Sequence, residues 1–198
     1  TSRLVGSEMC IRDRGIIFGA LNDMSIAWKV AERAQEEGAT FTLTNAPIAM
    51  RMGAINDLAE KTNSEVIPAD ATSVEDLKHL FEKSQEILGG KVDFVLHSIG
   101  MSPNVRKKKQ YTGLNYEWYK QTLDVSAMSL HKTLQVAYDM DALNNWGSVL
   151  ALTYIAAQRI FPDYNDMADA KSLLESITRS FGYHYGTCLL YTSDAADD

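Results

Sequence analysis

The chain has 198 residues, 45% of them hydrophobic and 23% charged, with a formal net charge of −7. That size and balance suit one globular α/β domain, and the acidic excess argues against general nucleic-acid or membrane-surface binding while leaving room for a local basic patch. The two cysteines, Cys10 and Cys188, offer neither a disulfide framework nor zinc spacing, and no apolar run approaches a membrane span. A cytoplasmic, metal-free protein is expected.

Thr1–Arg14 and Thr187–Asp198 continue neither a strand alternation nor a helical stripe. They read as non-native or disordered tails of adapter-like sequence around a domain at 15–186, which is expected to continue natively beyond Gly186.

Gly15–Gly19 is an apolar run ending in glycine, a buried strand. A turn through Ser25 and a helix from Ile26 towards Gly38 complete the opening half of a nucleotide-binding unit. Only Gly19 of the turn is glycine, so the G-x-G-x-x-G fingerprint is weak. The helix start could seat a pyrophosphate with the Ser25 hydroxyl, or Ser25 could be a plain N-cap. Thr40–Thr44 is a second strand. Asn45 and Ala46 follow where an acidic residue often holds the adenosine ribose, and with Arg51 nearby this corner leaves NADH and NADPH open. A helix is expected over Ile48–Lys61 and a third strand over Glu65–Ala69. Asp70 then either accepts from an adenine amino group or serves as a turn residue. Ser73–Asp76 resembles a capping box opening a helix to Leu88, which Gly89-Gly90 closes.

Asp93–Gly100 is the most apolar strand, and Gly100 would let the backbone approach a ligand. His97 reads as a packed core histidine rather than a base. Val105–Lys109 is a basic loop, solvated or facing phosphates or an acidic partner. Asn115–Tyr138 is a long helix with small contact residues at Ser126, Ala127 and Ser129. The run Gly147–Thr153 reads as a fifth strand that delivers Tyr154 at its end. Pro162 and Asp163 then start a helix carrying Tyr164 and Lys171, which runs to about Tyr185. Seven residues is close to two turns, placing both side chains on one face roughly 10 Å apart along the axis. There the ammonium would favour phenolate, although spacing alone equally fits a surface pair.

Five strands alternating with helices predict a three-layer, Rossmann-like, doubly wound parallel sheet. Gly19, Ser25, Asp70, Ser98, Gly100 and Tyr154 all fall at or just after strand ends, where such sheets bind ligands.

Gly19 with Ser25-Ile-Ala-Trp28, His97-Ser-Ile-Gly100, and Tyr154 with Tyr164 and Lys171 in Tyr-x6-Lys spacing resemble the bacterial NADH-dependent enoyl-acyl-carrier-protein reductases, of the short-chain dehydrogenase/reductase superfamily. The likeness runs from about Gly15 to Gly186. Most of that superfamily uses Tyr-x3-Lys with a serine about thirteen residues before the tyrosine; Ala151 stands there in this chain, and the longer spacing is the enoyl-reductase variant. The resemblance implies that Gly19, Ser25 and Ile26 line the pyrophosphate, Asp70 and Ala71 the adenine, and Ser98, Ile99 and Gly100 the nicotinamide side. Lys171 would hold the nicotinamide ribose. Tyr164 would hydrogen-bond the thioester carbonyl, and Tyr154 and Met101 would border the acyl chain, with Tyr154 assisting proton delivery. It further implies NADH, with NADPH left open, an acyl carrier protein as partner with Arg106–Lys109 as its candidate contact, and a homotetramer at full length. The family continues with further strands and a helical flap, so the chain is expected to lack its last strands, to expose its fifth strand as an edge, and to be marginally stable and inactive alone. Two other readings stand beside this one: a short-chain reductase acting on a ketone or alcohol, and a non-catalytic NAD-binding sensor.

Overall fold

A computed structural model of the chain describes residues 13–52 and 54–186. The assignments made for residues 1–12 and 187–198 lie outside these. Five parallel strands run in the order β3-β2-β1-β4-β5: β1 Arg14–Phe18, β2 Thr40–Thr44, β3 Glu65–Val66, β4 Val92–His97 and β5 Leu143–Ala151. Seven α-helices connect and cover them: α1 Ile26–Glu36, α2 Ala54–Thr62, α3 Val74–Leu88, α4 Pro103–Arg106, α5 Tyr116–Leu123, α6 Ser129–Asp139 and α7 Asp166–Gly186. The doubly wound three-layer sheet expected from the alternation is the fold observed.

Two apolar layers hold it together. Ile17, Leu43 and Leu96 pack with Ala27, Trp28 and Ala31 of α1 and with Ile55 and Leu58 of α2. Ile16, Phe18 and Val95 pack on the other face with Leu77, Leu80 and Phe81 of α3, Leu130 and Leu134 of α6, and Leu174 of α7. Alternate residues of each strand thus feed opposite layers, which is why β1 and β4 read as continuous apolar runs. β5 forms one edge of the sheet, and its Leu150, in register with Leu96, is 47% exposed.

Several boundaries differ from expectation. β1 begins at Arg14, not Gly15: the Arg14 amide donates to Asp93 Oδ2 at 2.9 Å and its guanidinium reaches the same atom at 3.3 Å, tying the strand start to β4. The helix expected over Ile48–Lys61 is a 3-10 turn, Ala49–Met52, followed by α2. Regular pairing of β3 stops at Val66, although Ile67 and Ala69 still donate to Leu43 and Asn45; Pro68, between them, has no amide to give. Ser73 does cap α3, accepting from the Asp76 amide at 3.2 Å, but the Asp76 carboxylate reaches the Asp70 amide instead of closing a reciprocal box. β5 begins at Leu143, and its register jumps between Val92↔Leu143 and Phe94↔Ser148, with Trp146 at φ +66 in the bulge. The long helix is interrupted by a π-turn over Asp124–Met128, which separates α5 from α6.

β1 and β4 lie side by side while their connections leave to opposite sides, so the crevice of this sheet opens at their carboxyl ends. Gly19 sits at that point with φ +84, and a Cβ there would lie 1.9 Å from the Ser98 carbonyl oxygen. Both the left-handed backbone and the clash fall on a rigid main chain. Gly19→Ala is therefore expected to cost about 2–3 kcal/mol, read as a shift of the denaturant midpoint; a loss below about 0.5 kcal/mol would refute this account of the glycine.

Candidate active site

The predicted site positions line up along the carboxyl edge. Asp70 and Ala71 follow β3 at one end, Gly19 to Ile26 follow β1, Ser98 to Met101 follow β4, and Leu152 to Tyr154 follow β5 at the other end. Four strand spacings separate the two ends, roughly 19 Å. Ser25 occupies the N-cap position of α1 without a side-chain cap bond: its hydroxyl donates to the Asn22 carbonyl at 2.7 Å and accepts from the Leu21 amide at 3.3 Å. The Ile26 and Ala27 amides precede the first intrahelical bonds, which run from Trp28 and Lys29 to the Ser25 carbonyl. A helix start left in this way suits an anionic group. The Asp70 side chain is exposed, and its Oδ1 accepts from the Thr72 amide at 2.9 Å and the Thr72 hydroxyl at 2.8 Å, the turn role weighed for it.

The β5 end holds the reactive side chains. Lys171 is buried, and its ammonium donates to the Leu152 carbonyl at 2.7 Å and the Ile99 carbonyl at 3.4 Å. It lies 3.9 Å from where a Cβ on Gly100 would stand. Burial lowers its pKa to about 8. Tyr164 is not on α7 as expected. That helix starts at Asp166, and Asp163 at φ +67 and Asn165 at φ +46 are left-handed residues incompatible with a regular helical turn. The two side chains consequently do not share a helix face. Tyr164 packs instead on Tyr154, ring centroids 4.7 Å apart, and Tyr154 packs on Phe161 at 5.2 Å. Nor does the lysine draw the phenol towards phenolate: burial, and then the neighbouring Tyr154, raise the Tyr164 pKa. A phenol kept neutral in this way is a hydrogen-bond donor, not a base.

His97 is the packed histidine expected. Its Nε2 lies 2.8 Å from the Ser129 hydroxyl, and burial first, then Lys171, depress its pKa to about 3. Ser126, singled out only as a small residue, both accepts from the Met101 amide at 2.9 Å and donates to the Met101 carbonyl at 3.1 Å. The π-turn gives it this orientation, and the interruption left no mark in the apolar pattern. Sequence reasoning also missed Asp166, fully buried under Ser102, Asn104 and Thr122. The one available signal was an aspartate in the first turn of a helix, which is ordinarily read as a dipole partner.

The lowered pKa of Lys171 has a signed consequence. Between about pH 8 and the ordinary lysine value of 10.5 the native state has released a proton that the unfolded chain still binds, so this group makes stability rise with pH across that window. Below pH 8 both states are protonated and the dependence vanishes. Lys171→Met is expected to remove that alkaline slope in melts taken from pH 7.5 to 10; an unchanged slope would contradict the burial assigned to the ammonium.

Residues 19–188 match the family model described as enoyl-(acyl carrier protein) reductase. The sequence is 30% identical over 177 residues to enoyl-[acyl-carrier-protein] reductase [NADH] 2 of Rhizobium meliloti, covering 88% of this chain and 64% of the relative. A second Rhizobium meliloti enzyme, enoyl-[acyl-carrier-protein] reductase [NADH] 1, is 32% identical over 174 residues, with 62% of its length covered. The chain thus spans less than two thirds of the length of these curated relatives. Among solved structures, FabI of Alistipes finegoldii superposes with a TM-score of 0.89 at 62% identity, covering 91% of this chain and 67% of that one. A FabI–NADH complex from the same organism gives 0.88 at 63% identity, covering 89% and 62%. With the doubly wound sheet, the crevice at β1 and β4 and the tyrosine–lysine group at its β5 end, these matches show that the chain belongs to the enoyl-(acyl carrier protein) reductase family.

Proposed function

We propose that the protein carrying this chain reduces the trans-2 double bond of an enoyl thioester held on an acyl carrier protein, with NADH as the reductant. The observation that carries the reading is at the carboxyl ends of β4 and β5: Lys171, beside Gly100, is held by the Leu152 carbonyl two residues before Tyr154, on whose ring Tyr164 packs. The uncapped start of α1 and the close approach at Gly19 suit a dinucleotide, whose pyrophosphate would lie near Gly19, Ser25 and Ile26 with its adenine towards Asp70 and Ala71. NADH would supply the hydride. The protein's own part is orientation and charge stabilisation.

Ser98, Ile99 and Gly100 would border the nicotinamide, with Met101 continuing towards the acyl chain. Lys171 has three N–H donors, and two carbonyls aim the ammonium; the remaining donor is suited to the ribose hydroxyls. Tyr164, neutral because its pKa is raised, would donate to the thioester carbonyl and stabilise the enolate formed when hydride reaches the β-carbon. Tyr154, in tilted ring contact with Tyr164 and Phe161, would line the acyl side and fix the Tyr164 ring.

The exposed basic loop Arg106–Lys109 belongs to the same assembly: its Lys109 carbonyl accepts from Asn165 Nδ2 at 2.5 Å, one residue from Tyr164. An acidic carrier protein docking there would bring its thioester to the tyrosines. Homotetrameric assembly and a cytoplasmic location complete the reading; among the described residues no helix is long and apolar enough to cross a membrane.

Three measurements test these proposals. NADH, and NADPH in parallel, should separate in a thermal melt, with NADH raising the midpoint more; no shift with either would overturn the cofactor site. Tyr164→Phe should lower NADH-dependent enoyl-thioester reduction by about 10²–10³-fold with NADH affinity kept, as for loss of one oxyanion donor. Near-normal turnover would remove Tyr164 from the mechanism, and faster reduction of a ketoacyl than an enoyl thioester would favour a carbonyl reductase. Charge reversal at Lys107, Lys108 and Lys109 should raise KM for a carrier-borne substrate while sparing a free thioester; equal effects on both would place the carrier elsewhere.

A further inference from the structure

We propose that Asp166 is a positioning residue for the cofactor end of the site: its buried carboxylate fastens the loop after β4 to the first turn of α7 and so sets Ile99–Met101 against Lys171. This deepens the cofactor reading above and rests on it.

Asp166 is wholly inaccessible, and its partners are neutral donors from α4, from α5 and from the loop that joins β4 to α4. The Ser102 hydroxyl donates to Oδ1 at 2.7 Å; Asn104 Nδ2 and the Thr122 hydroxyl reach Oδ2 at 2.8 and 2.9 Å. A carboxyl group withdrawn from water is costly without such donors, and its place in the first turn of α7 adds the helix dipole. Each donor is itself committed. Ser102 caps α4, accepting from the Val105 amide at 3.0 Å. Asn104 accepts from the Asn115 amide at 3.0 Å and donates to the Asn115 carbonyl at 3.1 Å, closing the chain between α4 and α5. Thr122 stands on α5, within 2.8 Å of the Trp118 carbonyl. One carboxylate therefore gathers the loop after β4, α4, α5 and α7.

The loop is gripped from both sides. Ser126 holds Met101 by its amide and carbonyl, and Asp166 holds the adjacent Ser102. Lys171 lies five residues along α7 from Asp166, and its ammonium meets the Ile99 carbonyl two residues before Met101. With α7 and the loop joined at Asp166, the distance from Lys171 to Ile99 and Gly100 is set from outside the cofactor crevice. Asp169, one turn further on, accepts from Tyr111 and Tyr119 at 3.0 Å each but does not touch the loop, and so provides a matched control on the same helix.

The test uses the 198-residue chain with Asp166→Asn, Thr122→Val and Asp169→Asn, titrated with NADH by nicotinamide fluorescence and followed by amide exchange at Met101 and Val105. Asp166→Asn is expected to weaken NADH binding and to speed exchange at both amides, each by about tenfold, the scale of a charged buried hydrogen bond. Thr122→Val should give a smaller change of the same kind, about threefold, and decides the question if Asp166→Asn does not fold. Asp169→Asn should leave both readouts within about twofold. A folded Asp166→Asn protein that melts earlier yet keeps NADH affinity and both exchange rates would reduce Asp166 to a stability residue and overturn the proposal, as would faster exchange with unchanged affinity. Failure of the unsubstituted chain to bind NADH would defeat the cofactor reading itself; exchange at Met101 and Val105 then decides separately whether Asp166 holds the loop.

Discussion

The buried ammonium of Lys171 is the constraint around which the site is arranged. A cation withdrawn from water needs oxygen partners, and here they are main-chain carbonyls from the two strands' exits, Leu152 after β5 and Ile99 after β4. Backbone acceptors cannot follow a side chain as it changes rotamer, so the lysine is satisfied only when both loops and α7 take one relative position. The same withdrawal from water lowers its pKa to about 8 and, acting on Tyr164, raises that of the phenol. One physical cause thus moves the two groups towards their neutral forms, from opposite directions.

The surroundings extend this arrangement through hydroxyl and amide donors around one carboxyl group. His97, at the end of β4 and close enough to Lys171 to feel it, is kept neutral by burial and is bound to Ser129. Ser129 in turn donates to the Val125 carbonyl at 2.7 Å within the π-turn, the segment that also presents Ser126 to Met101. Across the loop, Asp166 collects Ser102, Asn104 and Thr122. These hydroxyls and amides form a polar seam between α5, α7 and the loop after β4. Hydrogen bonds of this kind impose directions that apolar packing leaves free.

Strand β5 stands at the edge of the sheet. Leu150, which points to the layer of α1 and α2, is half exposed, and Trp146 in the bulge of the same strand is exposed as well. The β3 to β4 part of the sheet, by contrast, is covered on both faces by the two apolar layers. The crevice at β1 and β4 belongs to that covered part, whereas Tyr154 follows the edge strand.

Much of this was legible in the residues. Strand β2 and helix α3 fall where periodicity and glycine punctuation put them, because a parallel strand covered on both faces and an amphipathic helix each leave a local signature. The carboxyl-edge positions of Gly19, Ser98 and Gly100 followed from their places at the ends of strands in a parallel sheet. His97 was correctly read as core for the same reason: it ends an apolar strand. What could not be read was set by contacts distant in sequence. Tyr164 leaves α7 because left-handed residues flank it and Tyr154 offers it a ring. The phenol's pKa rises because burial, and then Tyr154, act on it, and not the lysine that the spacing had placed on its helix face. Asp166 looks like an ordinary helix-start acid until residues 44 to 64 positions away close over it. Local pattern determines which elements form and which faces they bury; the direction of a hydrogen bond and the cost of a charge depend on what tertiary packing brings into contact, and only the folded chain decides those.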